Sequence, residues 1–501
     1  MIRINAKVFL IIGPLLVIFL AMTLSLVAGA ESLPGQTAQA PDDGNALFID
    51  ASSTSRAAPP HDPTRSRERY VTLRHSVMGS EVEPVARLQL NLFPDASYTA
   101  VLDRTESNLY GGYTWFGVLE GVPNSHVILV IHENQVTGTV ALLSDIYEVT
   151  PLSDGVHSIY EINPAGFPPE AEPLAPPEPE TEWLVPDYLD ETDLDDGSII
   201  DVAVFFTPAA RGGEGSLVNI RNRIHLAVAQ TNQSYINSQV NHRIRMVIAD
   251  EVAYTESGNS QTDLDRIIAQ GDGFLDAVHS VRNTYGADLV MLIVETTENG
   301  NCGRGSIIKG NNPEAGFSIV ERSCATGNLS FPHELGHNMG AAHDRFVAET
   351  NEGAYSYSHG YVNTEDSWRT VMAYNDACGD NTCTRIPYWS NPNVEYLSAP
   401  TGIASDKSNS ADNRLTLNNR ALTVSRFRES IVRDVYVNWT ATNTPEDGTQ
   451  TRPFNTVREG VQAVFPGRTV MIAPGSYEGN MLTIDRHMTL KAYLGGVTIG
   501  D

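Results

Sequence analysis

One short stretch of the chain, HELGHNMGAAHD at residues 333–344, has the residue types and the spacing of a catalytic metal site. His333 and His337 are four residues apart, so on a helix both imidazoles project from one face and can reach one ion. Gly340 is placed to take a left-handed conformation and end that helix, which lets the chain return His343 as a third ligand. Three histidines leave the fourth position of a tetrahedral zinc ion open for water. The spacing favours such a site over three unrelated surface histidines.

Glu334 supplies the other group that zinc-dependent hydrolysis needs. It lies about 100° round the helix from His333, near enough to meet a zinc-bound water without ligating the metal. Zinc lowers the pKa of that water and polarises a carbonyl group, and a neighbouring carboxylate can take the water proton and pass it to the leaving amine. We therefore predict Zn²⁺ as the cofactor and Glu334 as the general base.

The whole stretch, with Asp344 directly after the third histidine, resembles the signature of the metzincin zinc peptidases, and of their reprolysin (adamalysin) branch in particular. TVMAY at 370–374 is similar to the methionine-containing turn of that family and nominates Met372 as a packing residue. The resemblance implies an α/β (α+β) catalytic domain with a mixed, mostly parallel sheet and one antiparallel edge strand. It also implies protein or peptide substrates that bind in extended form along that edge strand. We expect the edge strand near 315–320, where AGFSIV is short and flanked by glycine.

Two residues after the motif have roles that the sequence leaves open. Some metzincins, notably the astacin-like and serralysin-like enzymes, carry a tyrosine at the position of Tyr374, and its hydroxyl can stabilise the oxyanion, but reprolysins usually lack it. The alternative is that Tyr374 packs its ring beside the methionine turn. RIPYWSNPN at 385–393 is expected to shape the pocket beyond the scissile bond. There Arg385 either selects an acidic side chain or is an exposed arginine paired with a neighbouring acid.

The elements that must position these residues begin at Ser198. IIDVAVFFTP, RIRMVIADEV and ADLVMLIVE are predicted to be strands, and Leu217–Val240 and Thr262–Tyr285 to be helices. Strands that alternate with helices indicate a mostly parallel α/β sheet. We assign the peptidase domain to residues 198–432.

The N-terminus predicts export from the cell. Arg3 and Lys7 precede an almost wholly apolar run, Val8–Val27, and Ala28-Gly29-Ala30 then fits the small-x-small pattern of a cleavage site. We predict a signal peptide over 1–30 and a secreted protein with no membrane contact after cleavage. An uncleaved membrane anchor is the alternative, because the apolar run is long enough to span a bilayer.

Two segments separate the signal peptide from the peptidase domain. Residues 31–162 are predicted to form a β-rich pro-domain, since VARLQLNLF, HVILVIHE and VTGTVALL read as strands. Residues 163–197 contain eight prolines, eleven acidic residues and no lysine or arginine, which predicts an extended, accessible linker. The pro-domain has no cysteine, so latency would need a carboxylate, a histidine or steric cover.

The cysteines all lie within the peptidase domain, at Cys302, Cys324, Cys378 and Cys383. An even number in an exported chain favours two disulfides, and four cysteines allow three pairings. We expect Cys302–Cys324 and Cys378–Cys383, because each pair is close in sequence. The first pair brackets the expected edge strand, and the second closes a small loop after the methionine turn.

The C-terminal residues, 433–501, change in character to a short helix followed by short strands. This pattern resembles the opening turns of a right-handed parallel β-helix, and a small β appendage is the alternative. We expect that any contact with a glycan or a surface is made through this segment.

The charge of the chain limits the partners that it can bind. The 501 residues carry a net charge of −28 and show no basic stripe, which argues against nucleic acid as a partner and against docking on an anionic membrane. The predicted function is a secreted zinc-dependent metalloendopeptidase. One alternative is a non-catalytic surface-binding or adhesion protein on a metzincin fold, but such a protein does not need the base Glu334. A glycan-processing β-helix is a more distant alternative.

Overall fold

The computed structural model describes residues 45–51, 62–80, 83–143, 145–176, 195–297, 300–348, 352–379, 383–430, 434–442, 446, 448–464, 468–478, 482, 484 and 488–500. The predicted signal peptide lies outside these residues, and so does most of the predicted linker, residues 177–194. Within the described part of the chain, no helix combines the length and the apolar character that crossing a membrane requires.

The N-terminal region forms one antiparallel sheet of nine strands in the order β1-β2-β9-β8-β7-β6-β5-β4-β3. The backbone N of Leu47 also donates to the carbonyl of Gln89 at 2.9 Å, so the sheet curls until its two edges meet. Apolar side chains on alternate positions fill the inside of this curl. The strands are β1 Phe48–Asp50, β2 Arg65–Leu73, β3 Arg87–Phe93, β4 Ala96–Ser107, β5 Tyr113–Leu119, β6 His126–His132, β7 Gln135–Leu142, β8 Asp145–Pro151 and β9 Val156–Ile162.

The next region alternates strands with helices, as predicted. Its sheet has the order β11-β10-β12-β14-β13; the first four strands are parallel and β13 is antiparallel at the edge. The strands are β10 Ile199–Phe206, β11 Arg243–Glu251, β12 Leu289–Val294, β13 Gly303–Gly305 and β14 Phe317–Glu321. The helices are α1 Pro208–Glu214, α2 Leu217–Asn237, α3 Ser260–Ile268, α4 Asp276–Tyr285, α5 Cys324–Gly327 and α6 Ser330–Asn338.

Helices cover both faces of this second sheet. Val202 and Val204 of β10 point to the face that carries α2 and α6, whereas Ala203 and Phe205 point to the face that carries α3 and α4. Every residue of β12 is buried, as expected of a central parallel strand. The mixed, mostly parallel sheet predicted for the peptidase domain is therefore present.

Two sequence predictions about these elements were wrong. The segment 315–320 is not the edge strand, because β14 is buried between β12 and β13. The edge is formed by β13, which is only three residues long. The predicted helix Thr262–Tyr285 is interrupted after Ile268, since Gly271 and Gly273 have φ values of +78° and +86°, which an α-helix does not accommodate.

The remaining part of the peptidase domain is mostly irregular. Its helix α7, Asn413–Val424, packs Leu417 and Val424 into the core beneath the parallel sheet. Its strands are β15 Val362–Asn363, β16 Trp368–Arg369, β17 Thr384–Arg385, β18 Glu395–Tyr396 and β19 Ala399–Pro400. Single-turn 3₁₀ helices in the described chain are His75–Val77, Pro164–Gly166, Pro313–Ala315 and Asp376–Cys378.

The C-terminal segment has a small core of its own, built around Val437, Val461 and Ile472. Strands β20, β21 and β23 pair in parallel, as do β22 and β24. The elements are β20 Val435–Val437, α8 Val457–Ala463, β21 Thr469–Ile472, β22 Gly475–Tyr477, β23 Thr489–Ala492 and β24 Val497–Ile499.

Helix α2 joins the N-terminal sheet to the peptidase domain, because it is buried on two opposite faces. Ile220 and Ile224 pack into the core of the peptidase domain. On the other face, Leu226 and Ala229 pack against the outer side of the N-terminal sheet, on Phe116, Ile128 and Val130. The two regions therefore share a continuous apolar contact.

Candidate active site

The three predicted metal ligands come from helix α6 and from the turn that follows it. His333 and His337 are one turn apart on α6. Gly340 has a φ of +83°, the left-handed conformation that the sequence pattern predicts. A Cβ atom at Gly340 would lie 2.6 Å from Cβ of Ala354, so space as well as backbone conformation requires glycine there. The chain then turns back and places His343 beside the first two histidines.

The three imidazoles converge. Their ring centroids are 4.9 Å apart for His333 and His337, 5.2 Å for His333 and His343, and 4.7 Å for His337 and His343. One nitrogen of each ring lies within 4.8 Å of the other two, and the Nε2 atoms of His337 and His343 are 3.0 Å apart. All three side chains are fully buried. Buried rings packed this closely have the geometry of a metal-binding cluster, which three unrelated surface histidines do not have.

Hydrogen bonds on the outer side of two rings fix the nitrogens that face inward. Nδ1 of His333 lies 2.9 Å from the carbonyl oxygen of Val371, and Nδ1 of His337 lies 2.9 Å from that of Ala341. A carbonyl oxygen only accepts, so each Nδ1 carries the proton and each Nε2 keeps its lone pair. Burial lowers the pKa of His337 to about 3 and the pKa of His333 well below its ordinary value, so both rings are neutral.

These nitrogens fit a zinc ion. Nε2 of His333 is buried and has no hydrogen-bond partner among the described residues. Such an orphaned atom is unfavourable in a protein interior unless something binds to it. Three converging imidazoles, two of them with Nε2 lone pairs that face inward, are a donor set that suits Zn²⁺.

His343, the third predicted ligand, has two supporting contacts, one to its ring and one to its backbone. Oε1 of Glu352 lies 3.4 Å from Nδ1 of His343. Nδ1 of His359 donates to the carbonyl oxygen of His343 at 2.9 Å. His359 therefore supports the backbone of the third ligand from outside the histidine cluster.

Glu334 follows His333 on α6, is fully buried, and has its carboxyl against the edge of the sheet. The edge strand β13 makes room for its carboxyl. A Cβ atom at Gly303 would lie 2.7 Å from Oε1 of Glu334, and one at Gly305 would lie 3.1 Å from Oε2. Burial, and then the neighbouring carboxyl of Glu170, raise the pKa of Glu334 well above its ordinary value.

The predicted methionine turn lies beneath α6. Met372 is fully buried, and a Cβ atom at Gly336 would lie 2.7 Å from its Sδ and 2.8 Å from the Trp389 ring. Met372 therefore packs directly against the turn of α6 that carries the first two ligands. Asp344 ties the third ligand to the same turn, since its Oδ2 accepts a hydrogen bond from the backbone N of Tyr374 at 2.8 Å.

Residues 167–174, FPPEAEPL, lie in the groove beside β13 and are here called the cleft segment. The segment runs parallel to β13 and adds a strand to the edge of the sheet. It is extended, as predicted for the linker, but Glu170 and Ala171 are buried, so this part of the linker is not accessible. Backbone hydrogen bonds join the two strands, from Cys302 N to Pro169 O at 2.8 Å, from Ala171 N to Gly303 O at 3.0 Å and from Leu174 N to Gly305 O at 2.9 Å.

Tyr374 contacts both the metal ligands and the cleft segment. Its ring centroid is 4.2 Å from that of His343 and 6.1 Å from that of His333. Its hydroxyl donates to the carbonyl oxygen of Glu170 at 3.1 Å. The ring thus packs against the imidazoles, and the hydroxyl points to a backbone carbonyl in the groove.

Arg385 is not the exposed arginine of the simpler expectation, because only 4% of its surface is exposed. Its Nη1 donates to Oε1 of Glu170 at 2.6 Å. Ser330 Oγ and Asn328 Nδ2 donate to the same oxygen at 2.7 Å and 3.1 Å. The acid that pairs with Arg385 therefore comes from the cleft segment.

Three residues of this site, Glu170, Ser330 and Asn328, were not predicted from the sequence. Glu170 is one of eleven acidic residues in a proline-rich stretch, and its local pattern does not distinguish it from the others. The proximity of Ser330 and Asn328 to the HELGH motif was a usable signal, since both precede it by only a few residues.

Both predicted disulfides, Cys302–Cys324 and Cys378–Cys383, are present. The first connects the residue before β13 to the start of α5, the short helix that precedes α6, and so it links the edge strand to the segment that leads into the ligand-bearing helix. The second closes the short loop between the methionine turn and β17.

The sequence matches known peptidases along most of its length. A family model described as "Metallo-peptidase family M12B Reprolysin-like" matches residues 197–409. A peptidyl-Asp metalloendopeptidase of Stenotrophomonas maltophilia is 32% identical over 435 residues, which cover 82% of this chain and 97% of that protein. A protein of the same name from Xanthomonas campestris pv. campestris is 31% identical over 409 residues, covering 77% of this chain and 93% of that protein. A third protein of this name, from Pseudomonas fragi, is 32% identical over 200 residues, covering 40% of this chain and 100% of that protein.

These matches agree with the class that the site defines. The chain belongs to the reprolysin-like metallopeptidase family. It is a metalloendopeptidase, a hydrolase of peptide bonds, and the family resemblance read from the HELGHNMGAAHD motif is confirmed.

Proposed function

We propose that this chain is an exported, zinc-dependent endopeptidase that is made as a precursor and cuts proteins next to acidic residues. The observation that carries the proposal is the convergence of three buried, neutral imidazoles beside the carboxyl of Glu334, in a groove where an extended peptide already lies. A carboxyl and an edge strand that pairs with an extended segment, both at one histidine cluster, are the groups that hydrolysis of a peptide bond needs.

The residues have distinct tasks in hydrolysis. His333, His337 and His343 would hold the zinc ion, which when bound supplies a Lewis acid for the scissile carbonyl and lowers the pKa of water. Glu334 takes the proton of the attacking water and delivers it to the leaving amine. Tyr374 already donates to a carbonyl oxygen in the groove, which supports a role in stabilising the oxyanion.

The groove supports extended peptides as substrates. Backbone groups of β13 bind the backbone of the cleft segment, and strand addition of this kind accepts many side chains. The relatives are named peptidyl-Asp metalloendopeptidases, and a buried arginine, Arg385, lies beside the groove. Together these observations support cleavage next to an acidic residue.

The N-terminal residues support synthesis as a precursor. We propose a signal peptide over 1–30 and a pro-domain over 31–162 that is followed by the cleft segment. The Glu170 carboxyl lies next to Glu334, and the Glu172 carboxylate lies within 4.8 Å of a ring nitrogen of His343. Of the three routes to latency predicted from the sequence, these contacts support a carboxylate combined with steric cover. Cleavage within the acidic stretch after the cleft segment would then release the enzyme.

The C-terminal segment, residues 433–501, is proposed to begin a β-helix that contacts a glycan or a surface. The parallel pairing of β20, β21 and β23 supports this proposal. The alternative function, a non-catalytic surface-binding protein, is not supported, because the relatives are named endopeptidases and Glu334 is retained.

A peptide library tests the proposed function. The full-length chain is expressed for secretion, and its mature form is recovered from the medium. This form is incubated with a proteome-derived peptide library under three conditions: in buffer, with a chelator, and with the chelator followed by added zinc. We expect cuts next to Asp or Glu that the chelator abolishes and zinc restores. The Glu334→Ala protein, prepared in the same way, controls for contaminating peptidases. Absence of any chelator-sensitive cut would rule out the proposal.

A further inference from the structure

A pocket that binds a carboxylate lies next to Glu334. Its donors are Arg385 on β17, Ser330 at the start of α6 and Asn328 just before it, and all three residues are buried. All three donate to Oε1 of Glu170, at 2.6, 2.7 and 3.1 Å. Three buried donors on one oxygen, one of them a guanidinium, are typical of a site built for an anion.

The donors are held in place by contacts that do not involve Glu170. Arg385 also donates to the carbonyl oxygen of Asn328 at 2.8 Å. The side-chain oxygen of Asn328 accepts from the guanidinium of Arg369 at 3.4 Å, which turns the amide NH₂ group toward the pocket. Asn328 lies beside the Cys302–Cys324 disulfide, with its Nδ2 3.5 Å from Sγ of Cys302. The pocket is therefore preorganised by the peptidase domain itself.

The charge of the pocket requires an anion. Arg385 and Arg369 are both buried, and burial, followed by the charge of Arg385, lowers the pKa of Arg369 well below its ordinary value. Among the described residues, the ion-pair partner of Arg385 is Glu170. A buried guanidinium that loses its only carboxylate is strongly unfavourable. Once the cleft segment has left, the pocket needs another carboxylate to take its place.

The residue in the pocket also lies at the reacting centre. The carbonyl oxygen of Glu170 accepts a hydrogen bond from the hydroxyl of Tyr374, and the carboxyl of Glu170 lies next to that of Glu334. Glu172, the other acid of the cleft segment, is exposed. A side chain that fills this pocket therefore belongs to a residue directly beside the bond that is cut.

We propose that Arg385, with Ser330 and Asn328, is the subsite that selects an acidic side chain of the substrate beside the scissile bond, and that Glu170 occupies this subsite in the precursor. The inference rests on the proposed function and adds the residues that set its specificity. It also explains why an acid of the chain's own linker lies in the groove: Glu170 imitates the side chain that the enzyme recognises.

Paired substrates test the subsite in the active enzyme recovered from the full-length secreted chain. Two quenched fluorescent peptides differ only by Asp or Asn at the recognised position. For the wild type we expect kcat/KM to favour Asp by on the order of 10²-fold, and for Arg385→Gln we expect this preference to fall to about threefold or less with bound zinc unchanged. Arg211→Gln, which neutralises a surface arginine paired with Glu251, is the matched control and keeps the preference. An Arg385→Gln enzyme that still favours Asp as strongly as the wild type would overturn the proposal.

A second measurement uses only the wild-type enzyme, in case the Arg385→Gln chain does not fold. The synthetic peptide FPPEAEPL is compared as an inhibitor with the same peptide carrying Glu170→Gln. We expect the inhibition constant of the second peptide to be at least roughly tenfold higher, because it lacks the carboxylate. Equal inhibition by the two peptides would contradict the proposal. Cleavage of both paired substrates at equal rates would refute the subsite alone, whereas no cleavage of any peptide would refute the proposed function.

Discussion

Nδ1 of His333 and Nδ1 of His337 each donate to a backbone carbonyl oxygen. These two hydrogen bonds determine that Nε2 is the nitrogen of each ring that can bind a metal ion. The carbonyl of Val371 belongs to the methionine turn, so the orientation of the first ligand depends on that turn. Loss of a supporting contact of this kind typically costs about 10–100-fold in metal affinity or activity. The turn therefore contributes to the metal site through a backbone atom as well as through the packing of Met372.

The Tyr374→Phe variant distinguishes the two roles considered for Tyr374, stabilisation of the oxyanion by its hydroxyl and packing of its ring. If the hydroxyl stabilises the developing negative charge, its loss lowers kcat by on the order of 10²-fold, since a hydrogen bond to an oxyanion strengthens in the transition state. We expect zinc content and KM to change little. Steady-state kinetics and metal analysis of the same preparations check this. An unchanged kcat would leave Tyr374 as a packing residue.

Residue-level prediction brought together the groups whose contacts are local and missed those whose contacts are not. The three histidines and Glu334 lie within eleven residues, and α6 together with the left-handed turn at Gly340 brings them to one place. The contact between Glu170 and Arg385 spans 215 positions and depends on how the cleft segment enters the groove. Sequence spacing carries no information about such a contact, and the acidic partner of Arg385 was for that reason not found.

At the scale of elements, α6 and the methionine turn pack so closely that glycine is required between the ligands. The Cβ of an alanine at Gly336 would lie 2.7 Å from Sδ of Met372, which is well inside van der Waals contact. Trp389 lies at 2.8 Å from the same point, so the clash cannot be relieved by one flexible side chain. This packing positions the helix that carries two ligands.

Gly336→Ala is therefore expected to lower the free energy of unfolding by about 1–3 kcal/mol, since overpacking forces side chains and backbone to shift. Gly212→Ala is the matched control. It adds the same methyl group to helix α1 where nothing lies within 4 Å, and we expect it to be neutral or to stabilise by about 0.5–1 kcal/mol. Chemical denaturation of both variants measures the difference. Equal stability of the two would show that the close packing at Gly336 is not constraining.

The edge strand shows why element boundaries are harder to predict than long periodic segments. Phe317–Glu321 has the apolar run and flanking glycine of a strand, and it is one, but it lies inside the sheet. The real edge strand, Gly303–Gly305, reads GRG and has little intrinsic strand propensity. Glycine is needed there because β13 pairs with β14 and because the Glu334 side chain occupies the adjacent space. Both reasons are tertiary contacts, which the local sequence does not reveal.

At the scale of the whole molecule, a buried polar network connects the N-terminal sheet to the peptidase domain. Glu148 on β8 accepts hydrogen bonds from Tyr160 of its own sheet and from Thr326 of the peptidase domain. Arg223 on α2 lies 3.4 Å from Glu148 and 2.7 Å from Glu214. The apolar contact around α2 and this network together hold the two regions as one unit.

Glu148→Ala is expected to destabilise the precursor by about 3–5 kcal/mol, because it leaves the buried Arg223 without one of its carboxylates. Glu120→Ala is the control, since Glu120 and its partner Arg87 are both 55% exposed, and it should change stability by less than about 1 kcal/mol. Urea unfolding is measured on the uncut precursor in a Glu334→Ala background. Similar losses for the two variants would argue against a structural role for the network.

Processing of the whole chain tests the precursor proposal. We expect the secreted, active form to begin after the cleft segment, within residues 175–197, and to lack the nine-stranded sheet as a covalent part. N-terminal sequencing and intact mass of the active fraction identify the cut. A fully active secreted form that retains residues 70–160 covalently would be incompatible with a pro-domain.

The central claim, that His333, His337 and His343 bind zinc while Glu334 serves as the base, is tested most directly by measuring bound zinc and peptide turnover in the same samples of two variants. Glu334→Ala removes the base but no ligand, so we expect one zinc per chain and turnover reduced to background. His337→Ala removes a ligand and should lose both zinc and turnover. Full peptidase activity in a pure, zinc-loaded Glu334→Ala protein would contradict the account.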